Sequence, residues 1–229
     1  MAGCTLTIPH KEIAFREIGR LADSARLAGS VNTVVFRADG ELEGHSTDGY
    51  GLRTAVEEAA GKGFAGASVL ILGCGGAGRA AAIQAAEEGA ARLRLANRTA
   101  SRAEDLRNEI EKRYPALEVS VATAWPPPPD EVAEADLVVQ STAAGMEPGQ
   151  PPLLTRDHFR PESFLFDMVY TQRETPTMAE ARAAGATAAN GLGMLLHQGV
   201  RSLEIWTGQT IPVDVMRAAL ERNAYGEEN

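Results

Sequence analysis

The sequence predicts an α/β protein built on a doubly wound parallel sheet, and two features support this fold class. From residue 68 onward, short apolar segments alternate with helical ones, which is typical of parallel strands joined by crossover helices. A glycine-rich turn at 73–78 also separates the first of these strands from its helix. The predicted strands of this region are 69–72, 92–96, 118–122, 137–140 and 164–169, and its first two helices are 79–88 and 102–113.

The remaining elements lie on either side of this sheet. At the start of the chain an extended piece ends at Pro9, and the spacing of Ile13, Ile18 and Leu21 predicts one helix that closes near Gly29. Residues 31–45 form a predicted hairpin turned at Asp39-Gly40. The other predicted elements are a helix at 52–60, an exposed proline-rich loop at 125–130, and closing helices at 192–206 and 213–223.

Composition narrows the functional classes. The chain has 229 residues with 31 acidic and 22 basic side chains, a formal charge of −9, and no long run of either sign. This argues against nucleic-acid binding, and no apolar stretch reaches the roughly 18–20 residues of a membrane span. The N-terminus does not resemble a signal peptide, so we expect a cytoplasmic protein with a small-molecule partner. Cys4 and Cys74 are expected to be reduced, and neither lies in a metal-binding pattern.

Gly73-Cys74-Gly75-Gly76-Ala77-Gly78 fits the GxGxxG pattern of dinucleotide-binding turns. The pattern alone is common, but here it directly follows an apolar strand and opens an alanine-rich helix, as phosphate binding requires. The first glycine permits a tight turn, the second lets the backbone approach the pyrophosphate, and the third allows close packing. Free N–H groups at the helix start then face the phosphate charge. The motif predicts a Rossmann-type domain, and the alternative is a tight turn without a ligand.

The end of the next predicted strand indicates which dinucleotide is bound. An NAD site carries an Asp or Glu there, which hydrogen-bonds the ribose 2′-hydroxyl, whereas this chain has Asn97-Arg98-Thr99. Arg98, with Thr99 and Arg102 nearby, can instead pair with a 2′-phosphate. The pattern therefore favours NADP over NAD, and the alternative is that Arg98 is a solvated residue at a helix start.

Two residues near the N-terminus are candidates for proton transfer. Reduction of a ketone by a nicotinamide delivers hydride to carbon and needs a proton donor at the oxygen. Lys11 and Asp48 lie beside or within polar loops, and a lysine beside a carboxylate supplies both a proton and charge stabilisation. Their spacing does not show that they meet, and each taken alone fits a surface charge. His10 and His45 are further acid–base candidates, although loop or packing roles suit them better.

Five segments together resemble shikimate dehydrogenases over nearly the whole chain. In the order and spacing of that family they are Thr5-Leu6-Thr7-Ile8-Pro9-His10-Lys11, Gly29-Ser30-Val31-Asn32-Thr33, Ser46-Thr47-Asp48-Gly49, the glycine turn with Asn97-Arg98-Thr99, and Gly193-Met194-Leu195-Leu196-His197-Gln198. The first segment is most similar to the dehydrogenase half of bifunctional 3-dehydroquinate dehydratase/shikimate dehydrogenases. The resemblance implies NADP-dependent interconversion of 3-dehydroshikimate and shikimate, a step of aromatic amino acid biosynthesis.

The resemblance also implies roles for individual residues. Lys11 and Asp48 become the catalytic pair, in which Lys11 exchanges a proton with the reacting oxygen and Asp48 orients it. The implied substrate-binding residues are Thr5, Thr7, Asn32, Gln198 and Tyr170. The implied cofactor-binding residues are Gly73, Gly75, Gly76, Ala77, Gly78, Asn97, Arg98, Thr99, Arg102, Thr142, Gly191 and Met194. For Tyr170, Gly191 and Met194, core or turn positions are equally compatible, and no metal ligand is implied.

Some positions depart from the family pattern. Thr5 and Ser46 each stand where asparagine is common, Gln140 replaces the asparagine of a motif near the cofactor, and Gln172 stands where proline is frequent. These departures leave quinate, or another polyol acid, as an alternative substrate.

The start of the chain also differs from the family pattern. Family members carry a further βαβ-like segment, with two serines that hold the substrate carboxylate, before the segment that begins here at Thr5. We therefore expect a truncated α/β substrate domain from residues 1–51 and 195–229, beside an NADP-binding Rossmann-type domain at 52–194. Its exposed sheet edge favours self-association, or a segment that covers the edge. A truncated, non-catalytic NADP-binding relative is the second alternative, which the retained Lys11 and Asp48 argue against and the absent carboxylate-binding serines argue for. Both a fragment of a longer chain and a natural short form fit this pattern.

Overall fold

Residues 3–45 contain a mixed four-stranded sheet. The computed structural model describes residues 2–7 and 9–226, so Ile8 of the first resembling segment lies outside the described residues. The strands are β1 (Gly3–Thr5), β2 (Arg20–Leu21), β3 (Thr33–Phe36) and β4 (Leu42–His45), in the spatial order β1-β3-β4-β2. β3 and β4 form the predicted hairpin, and β1 pairs antiparallel with β3 at one edge. The helices of this region are α1 (His10–Glu17) and α2 (Asp23–Ala28).

Two helices and a short strand replace the single helix predicted between Ile13 and Gly29, so that prediction is wrong. α1 ends at Glu17, and β2 pairs in parallel with β4, with Leu21 opposite Gly44. Ile18 and Leu21 do belong to one small apolar core, although they lie on no common helix. Their spacing resembles a helical one, but the conformation is set by pairing with β4, which a local pattern does not contain.

A second sheet, of six parallel strands, confirms the predicted fold class. The helix α3 (Asp48–Ala60) leads from the first sheet into it. Its strands are β5 (Ser68–Leu72), β6 (Arg92–Ala96), β7 (Glu118–Val121), β8 (Leu137–Gln140), β9 (Phe164–Asp167) and β10 (Thr187–Asn190), in the order β10-β9-β8-β5-β6-β7. Each neighbouring pair is parallel. The order reverses between β5 and β8, and the carboxyl ends of these two strands form the switch point at which such sheets bind ligands.

Helices cover both faces of the parallel sheet. They are α4 (Gly76–Glu87), α5 (Ala100–Arg113), α6 (Pro129–Ala133), α7 (Pro176–Ala183), α8 (Leu192–Thr207) and α9 (Val213–Tyr225). Along β5, Val69 and Ile71 belong to one apolar core, and Leu70 and Leu72 belong to the other. Successive side chains of a strand point to opposite faces, so the continuous apolar run of β5 is explained by burial on both sides.

Several details of this region differ from the sequence prediction. The loop predicted at 125–130 is not fully exposed, because Pro127 is buried and Pro129 and Asp130 begin α6. Proline is accepted in the first helical turn, where its missing N–H costs nothing. Neither α7 nor β10 is predicted from the sequence. β10 is short and rich in alanine, so its strand conformation comes from pairing with β9 rather than from propensity.

Two helices, α3 and α8, connect the two sheets. Small residues let them approach closely, since a Cβ on Gly51 would lie 2.7 Å from the Met194 carbonyl oxygen. At its far end α8 reaches the four-stranded sheet, where the Trp206 indole N–H donates to the Val34 carbonyl oxygen at 2.9 Å. The domain boundaries predicted at 51/52 and 194/195 therefore fall within these helices.

Candidate active site and dinucleotide-binding turn

Lys11 and Asp48 meet where α1 and α3 begin. Asp48 is the first residue of α3, so its prediction as a loop residue is wrong. Lys11 Nζ donates to Asp48 Oδ2 at 2.7 Å, and the exposed fractions of the two side chains are 25% and 10%. A carboxylate is favoured at a helix N-terminus, while an ammonium group in the first turn of α1 is not, and the ion pair offsets that cost. The pair leaves Lys11 partly accessible for proton exchange.

Asn32 holds the Asp48 carboxylate from its other side. The Asn32 Nδ2 donates to Asp48 Oδ1 at 3.0 Å and lies 3.4 Å from Gln198 Oε1. The Asn32 Oδ1 accepts from the Thr47 backbone N–H and from the Thr33 hydroxyl, each at 2.9 Å. Because the two ends of the amide have different partners, only one orientation of the side chain satisfies them. Asn32 therefore orients Asp48 while it also faces Gln198.

One face of α8 forms the wall of a cleft beside this ion pair. Leu195, Gln198, Gly199 and Ser202 follow the spacing of a single helix face. The cleft has a volume of about 350 Å³ and is lined by Thr5, Leu6, Thr7, Lys11, Asn32, Leu195, Gln198, Gly199 and Ser202. The structure thus brings Lys11 together with Thr5, Thr7, Asn32 and Gln198, which the sequence analysis assigns to the substrate.

Three buried hydroxyl groups, of which Ser202 forms part of the cleft wall, are not among the site residues predicted from the sequence. Ser202 Oγ donates to the Gln198 carbonyl oxygen at 2.8 Å, and it lies 2.8 Å from Thr33 Oγ1 and 3.3 Å from Thr47 Oγ1. These hydroxyls support the Asn32 amide from behind. Thr33 follows Asn32 and Thr47 precedes Asp48, so their positions next to predicted site residues could have identified them. Ser202 offers no such signal, because it is far away in the sequence and reaches the site only through α8.

The glycine turn lies between β5 and α4, at the switch point of the parallel sheet. Gly73 has a φ of +96°, a left-handed conformation that favours glycine. A Cβ on Gly78 would lie 1.8 Å from the Gly73 carbonyl oxygen, so no side chain fits there. A Cβ on Gly75 or Gly76, by contrast, would meet open space. The turn therefore combines close packing with an open helix N-terminus, whose unpaired N–H groups suit a phosphate.

Asn97 connects this turn to the end of β6. Its amide oxygen accepts the Cys74 N–H at 2.9 Å, and its Nδ2 donates to the Thr99 carbonyl oxygen at 2.8 Å. Burial raises the pKa of the Cys74 thiol to about 11. The thiol is therefore neutral at pH 7 and adds no negative charge in front of α4, which keeps the turn suited to an anion.

A second cleft, of about 540 Å³, opens beside the carboxyl ends of β6 and β8. It is lined by Asn97, Arg98, Trp125, Thr142, Ala143, Ala144, Gln150, Pro151, Pro152 and Leu153. Arg98 and Arg102 are exposed, and neither forms an ion pair with residues 2–7 or 9–226. Other arginines do, such as Arg94 with Glu134 at 2.9 Å. Two guanidinium groups without an acidic partner in the described part of the chain suit an anionic ligand.

The remaining predicted site residues lie away from the first cleft. Tyr170 follows β9, is 41% exposed, and is not part of that cleft's lining. Gly191 is buried at a position where a Cβ would lie 2.2 Å from the Met168 carbonyl oxygen, so packing alone requires glycine there. Met194 packs against the core of the parallel sheet. Gly191 and Met194 therefore occupy packing positions and Tyr170 is exposed, and the ligand contacts of all three stay predictions.

Two further features concern metals and membranes. Within residues 2–7 and 9–226, no group of three or more His, Cys, Asp or Glu side chains is placed to hold a metal ion. Nor does the described part of the chain contain a helix long and apolar enough to cross a membrane.

The fold and the site together define a class: α/β proteins with a Rossmann-type sheet and a switch-point glycine turn, combined with a lysine–carboxylate pair in a separate polar cleft. Residues 55–163 match the family model of shikimate / quinate 5-dehydrogenase, and residues 191–221 match that of the shikimate 5′-dehydrogenase C-terminal domain. The shikimate dehydrogenase (NADP(+)) of Methanopyrus kandleri is 39% identical over 222 residues, which are 96% of this chain and 76% of that relative. The chain belongs to the shikimate dehydrogenase family, as the sequence predicts.

Solved structures of relatives share the fold. The shikimate 5-dehydrogenase of Listeria monocytogenes, in complex with shikimate and NAD, has a TM-score of 0.86 at 34% identity, over 96% of this chain and 78% of that one. The quinate dehydrogenase of Corynebacterium glutamicum, in complex with NAD, has a TM-score of 0.84 at 31% identity, over 95% of this chain and 77% of that one. These similarities confirm the predicted α/β fold class.

Proposed function

We propose that this chain catalyses the NADP-dependent, reversible reduction of 3-dehydroshikimate to shikimate, a step of aromatic amino acid biosynthesis. The observation that carries the proposal is the Lys11–Asp48 ion pair, which Asn32 holds at the wall of a polar cleft. The name of the Methanopyrus kandleri relative, shikimate dehydrogenase (NADP(+)), supports both the substrate and the cofactor.

Lys11 carries out the proton transfer in this proposal. When bound, the nicotinamide ring supplies the hydride that reduces the carbonyl carbon. Lys11 Nζ donates the proton that the carbonyl oxygen takes up, and in the reverse direction the neutral amine accepts the hydroxyl proton. Asp48 Oδ2, 2.7 Å from Nζ, stabilises the ammonium form and directs it. Asn32 keeps the carboxylate in place before the substrate binds, so the site does not have to reorganise during the reaction.

Polar groups around the first cleft would recognise the hydroxyls of the substrate. Asn32 and Gln198 face each other across 3.4 Å, and Thr5 and Thr7 lie at its exposed side. A polyol acid needs several fixed polar groups, because each unmatched hydroxyl costs binding free energy. The role of Tyr170 at the substrate rests on the family resemblance.

The groups that would hold NADP lie at the switch point. The turn residues Gly73, Gly75, Gly76, Ala77 and Gly78 would bind the pyrophosphate through backbone N–H groups. Arg98 and Arg102, with Asn97 and Thr99, would bind the 2′-phosphate. Thr142, Gly191 and Met194 would lie on the nicotinamide side. On this basis we assign NADP binding to residues 52–194 and substrate binding to residues 1–51 with 195–229.

The test of this function is the Lys11→Met variant, which keeps an unbranched side chain one atom shorter and removes the ammonium group. We expect kcat for shikimate oxidation to fall by roughly 10²–10⁴-fold, the range of general acid–base catalysis, with NADP affinity unchanged. Lys62→Met, at an exposed lysine beyond the end of α3, is the control and should keep full activity. Equal rates in Lys11→Met and the parent would refute the assignment.

Quinate is the second candidate substrate. It is supported by the quinate dehydrogenase among the structural neighbours and by Thr5, which stands at the cleft where asparagine is common in the family. The ratio of kcat/KM for shikimate and quinate, measured with NADP and with NAD, decides between them. A protein that binds NADP but turns over neither acid would instead be the non-catalytic relative.

We further propose that the free edge of the four-stranded sheet is covered by another copy of the chain. β1 pairs only with β3, so its outer N–H and C=O groups have no strand partner among the described residues. Light scattering across a dilution series should show a concentration-dependent dimer. A monomer at every concentration would contradict self-association and favour a covering segment instead.

We also propose a cytoplasmic location. The free thiols Cys4 and Cys74 suit the reducing conditions of that compartment.

A further inference from the structure

Asp167 is a buried carboxyl group at the carboxyl edge of the six-stranded sheet. It is the last residue of β9, in register with Gln140 at the end of β8 and Asn190 at the end of β10. None of its surface is exposed, and burial raises its pKa to about 6. A buried carboxylate is costly unless hydrogen bonds compensate it, so its partners indicate what it does in the protein.

Three hydrogen bonds join Asp167 to three different segments. Asp167 Oδ1 accepts from the Val169 backbone N–H and from Gln140 Nε2, both at 3.1 Å. Asp167 Oδ2 accepts from the Thr175 hydroxyl at 2.6 Å. Thr175 is the N-cap of α7, and its Oγ1 accepts the Met178 N–H at 3.2 Å. One carboxylate therefore fixes the turn after β9, the end of β8 and the start of α7.

Gln140 extends this network to the segment that follows β8. Its Nε2 also donates to the Ala144 carbonyl oxygen at 3.0 Å, and its Oε1 accepts the Thr142 backbone N–H at 2.5 Å. Thr142 and Ala144 line the second cleft together with Arg98. Thr142 also packs on the glycine turn, since a Cβ on Gly73 would lie 2.8 Å from its methyl group. The contacts that start at Asp167 thus reach the turn itself.

The turn after β9 extends the network in the other direction, to α8. The Val169 carbonyl oxygen accepts the Gly191 N–H at 3.2 Å, and Gly191 is the N-cap of α8. The Val169 N–H is the group that Asp167 holds. Asp167 is therefore linked through these contacts both to the glycine turn and to Gly191, which are assigned to the cofactor.

No positive charge compensates Asp167 within the described residues. Its hydrogen-bond partners Gln140, Val169 and Thr175 are neutral, and the neighbouring strand β10 presents Asn190 in register. The charged side chains on and before α7 interact elsewhere: Arg182 pairs with Glu174, Glu180 pairs with Arg156, and Arg173 lies over the Tyr225 ring. Hydrogen bonding alone therefore keeps the ionised carboxylate in place.

We propose that Asp167 is a positioning residue, whose ionised carboxylate holds the segments after β8 and β9 in the arrangement that binds the cofactor. This inference rests on the proposed NADP-dependent function. The carboxylate accepts from three donors at once. Protonation at Oδ2 makes the Thr175 hydroxyl turn from donor to acceptor, and protonation at Oδ1 takes an acceptor from Val169 or Gln140, so it reverses or breaks one of the three hydrogen bonds. The arrangement should therefore loosen as pH falls below about 6.

The free energy of unfolding should change with pH in the direction opposite to that of cofactor binding. Because the folded-state pKa is raised above its ordinary value of 3.8, Asp167 favours the folded state most at low pH, and this contribution is lost as pH rises through about 6. Above that pH the charged group lowers the stability of the fold.

The first experiment measures the dissociation constant of NADP by fluorescence, for which Trp125 in the second cleft is a built-in probe. The proteins are the parent, Asp167→Asn, and Asp136→Asn as a control. Asp136 is a half-exposed residue that accepts the Ser68 N–H at the opposite edge of the sheet. The 2′-phosphate also titrates near pH 6, so only differences between proteins count. Between about pH 8 and about pH 5, the parent and Asp136→Asn should lose about threefold more affinity than Asp167→Asn.

The second experiment needs no cofactor. Backbone amide exchange at Thr142 and Val169 reports the two hydrogen bonds that depend on this network. Asp167→Ala should speed exchange at both amides by about tenfold or more at neutral pH, and Asp167→Asn, whose amide can accept at one end only, should lie between Asp167→Ala and the parent. If Asp167→Ala does not fold, the comparison of Asp167→Asn with the parent across pH decides.

The outcomes separate this inference from the proposed function. Superimposable affinity profiles of the parent and Asp167→Asn, or unchanged exchange in Asp167→Ala, would overturn the positioning role. If the parent binds no NADP at any pH while exchange still depends on Asp167, the proposed cofactor is wrong and the network is only a structural one.

Discussion

The two sheets of this protein build their sites from different parts of the chain. In the six-stranded sheet the site is made by backbone, as a tight turn in which Gly78 approaches the Gly73 carbonyl and the start of α4 stays open. In the four-stranded sheet the site is made by side chains, with Lys11, Asp48 and Asn32 joined by hydrogen bonds. A backbone site needs one short stretch of sequence, whereas a side-chain site needs several distant segments to fold together.

The two regions also differ in packing. The parallel sheet lies between two apolar cores, while the four-stranded sheet has one small core of Ile18, Ala25, Val31 and Val34. The side-chain site therefore depends on α3 and α8, which the larger sheet anchors. We therefore expect changes in buried polar side chains to lower stability most in the four-stranded sheet. In the six-stranded sheet, we expect a side chain added at a glycine of the turn to have the main effect.

The largest effect is expected for Asn32→Leu. The substitution leaves the Thr47 N–H and Asp48 Oδ1 without their Asn32 partner, while the Thr33 hydroxyl keeps its contact with Ser202. Each buried polar group left unsatisfied costs about 1–3 kcal/mol, so we expect a loss of at least about 2 kcal/mol in the free energy of unfolding. Urea denaturation measures it. Asn108→Leu, at an exposed position in α5, is the control and should change stability by less than about 0.5 kcal/mol. A small effect for Asn32→Leu would mean that the side-chain network is not rigid.

Gly78→Ala should have the next largest effect. Its Cβ would lie 1.8 Å from a backbone oxygen, so the turn must move, at a cost of about 1–3 kcal/mol in the free energy of unfolding. NADP binding, measured by titration calorimetry, should be lost with the shape of the turn. Gly76→Ala places its Cβ in open space and should keep the parent stability. Parent-like stability and binding in Gly78→Ala would contradict the backbone account of this site.

Arg98→Gln is expected to have the smallest effect and addresses one of the side-chain contacts proposed for the cofactor site of the six-stranded sheet. Loss of a charge-assisted contact at an exposed arginine should weaken NADP by about tenfold, or about 1.4 kcal/mol. NAD affinity should not change, because NAD has no 2′-phosphate. Arg222→Gln, at an exposed arginine of α9, should leave both affinities at parent values. Equal weakening of NADP and NAD would assign Arg98 to a shared part of the two cofactors.

The difference between a backbone site and a side-chain site also explains how well the sequence predicts each of them. The strand before Gly73, the turn and the parallel order of the sheet are all visible in local patterns, and the structure confirms the fold class. The helical spacing of Ile18 and Leu21 misleads, because the pairing of β2 with β4 lies outside any local window. Ser202 and Asp167 go unnoticed for a related reason. Each is an ordinary residue in its own segment, and a distant partner, Thr33 for Ser202 and Gln140 for Asp167, connects it to the site.

The sequence alone was enough for the family, the α/β class and the glycine turn, because these depend on order, periodicity and the unique conformational freedom of glycine. It also singled out Lys11 and Asp48, but only the tertiary structure decided that they meet, since 37 residues separate them and a 2.7 Å contact needs α1 and α3 to begin side by side. Burial was likewise decided by the fold. Burial raises the pKa of Asp167, and that burial comes from the neighbouring strands β8 and β10, whose paired residues Gln140 and Asn190 lie more than 20 residues away in the sequence.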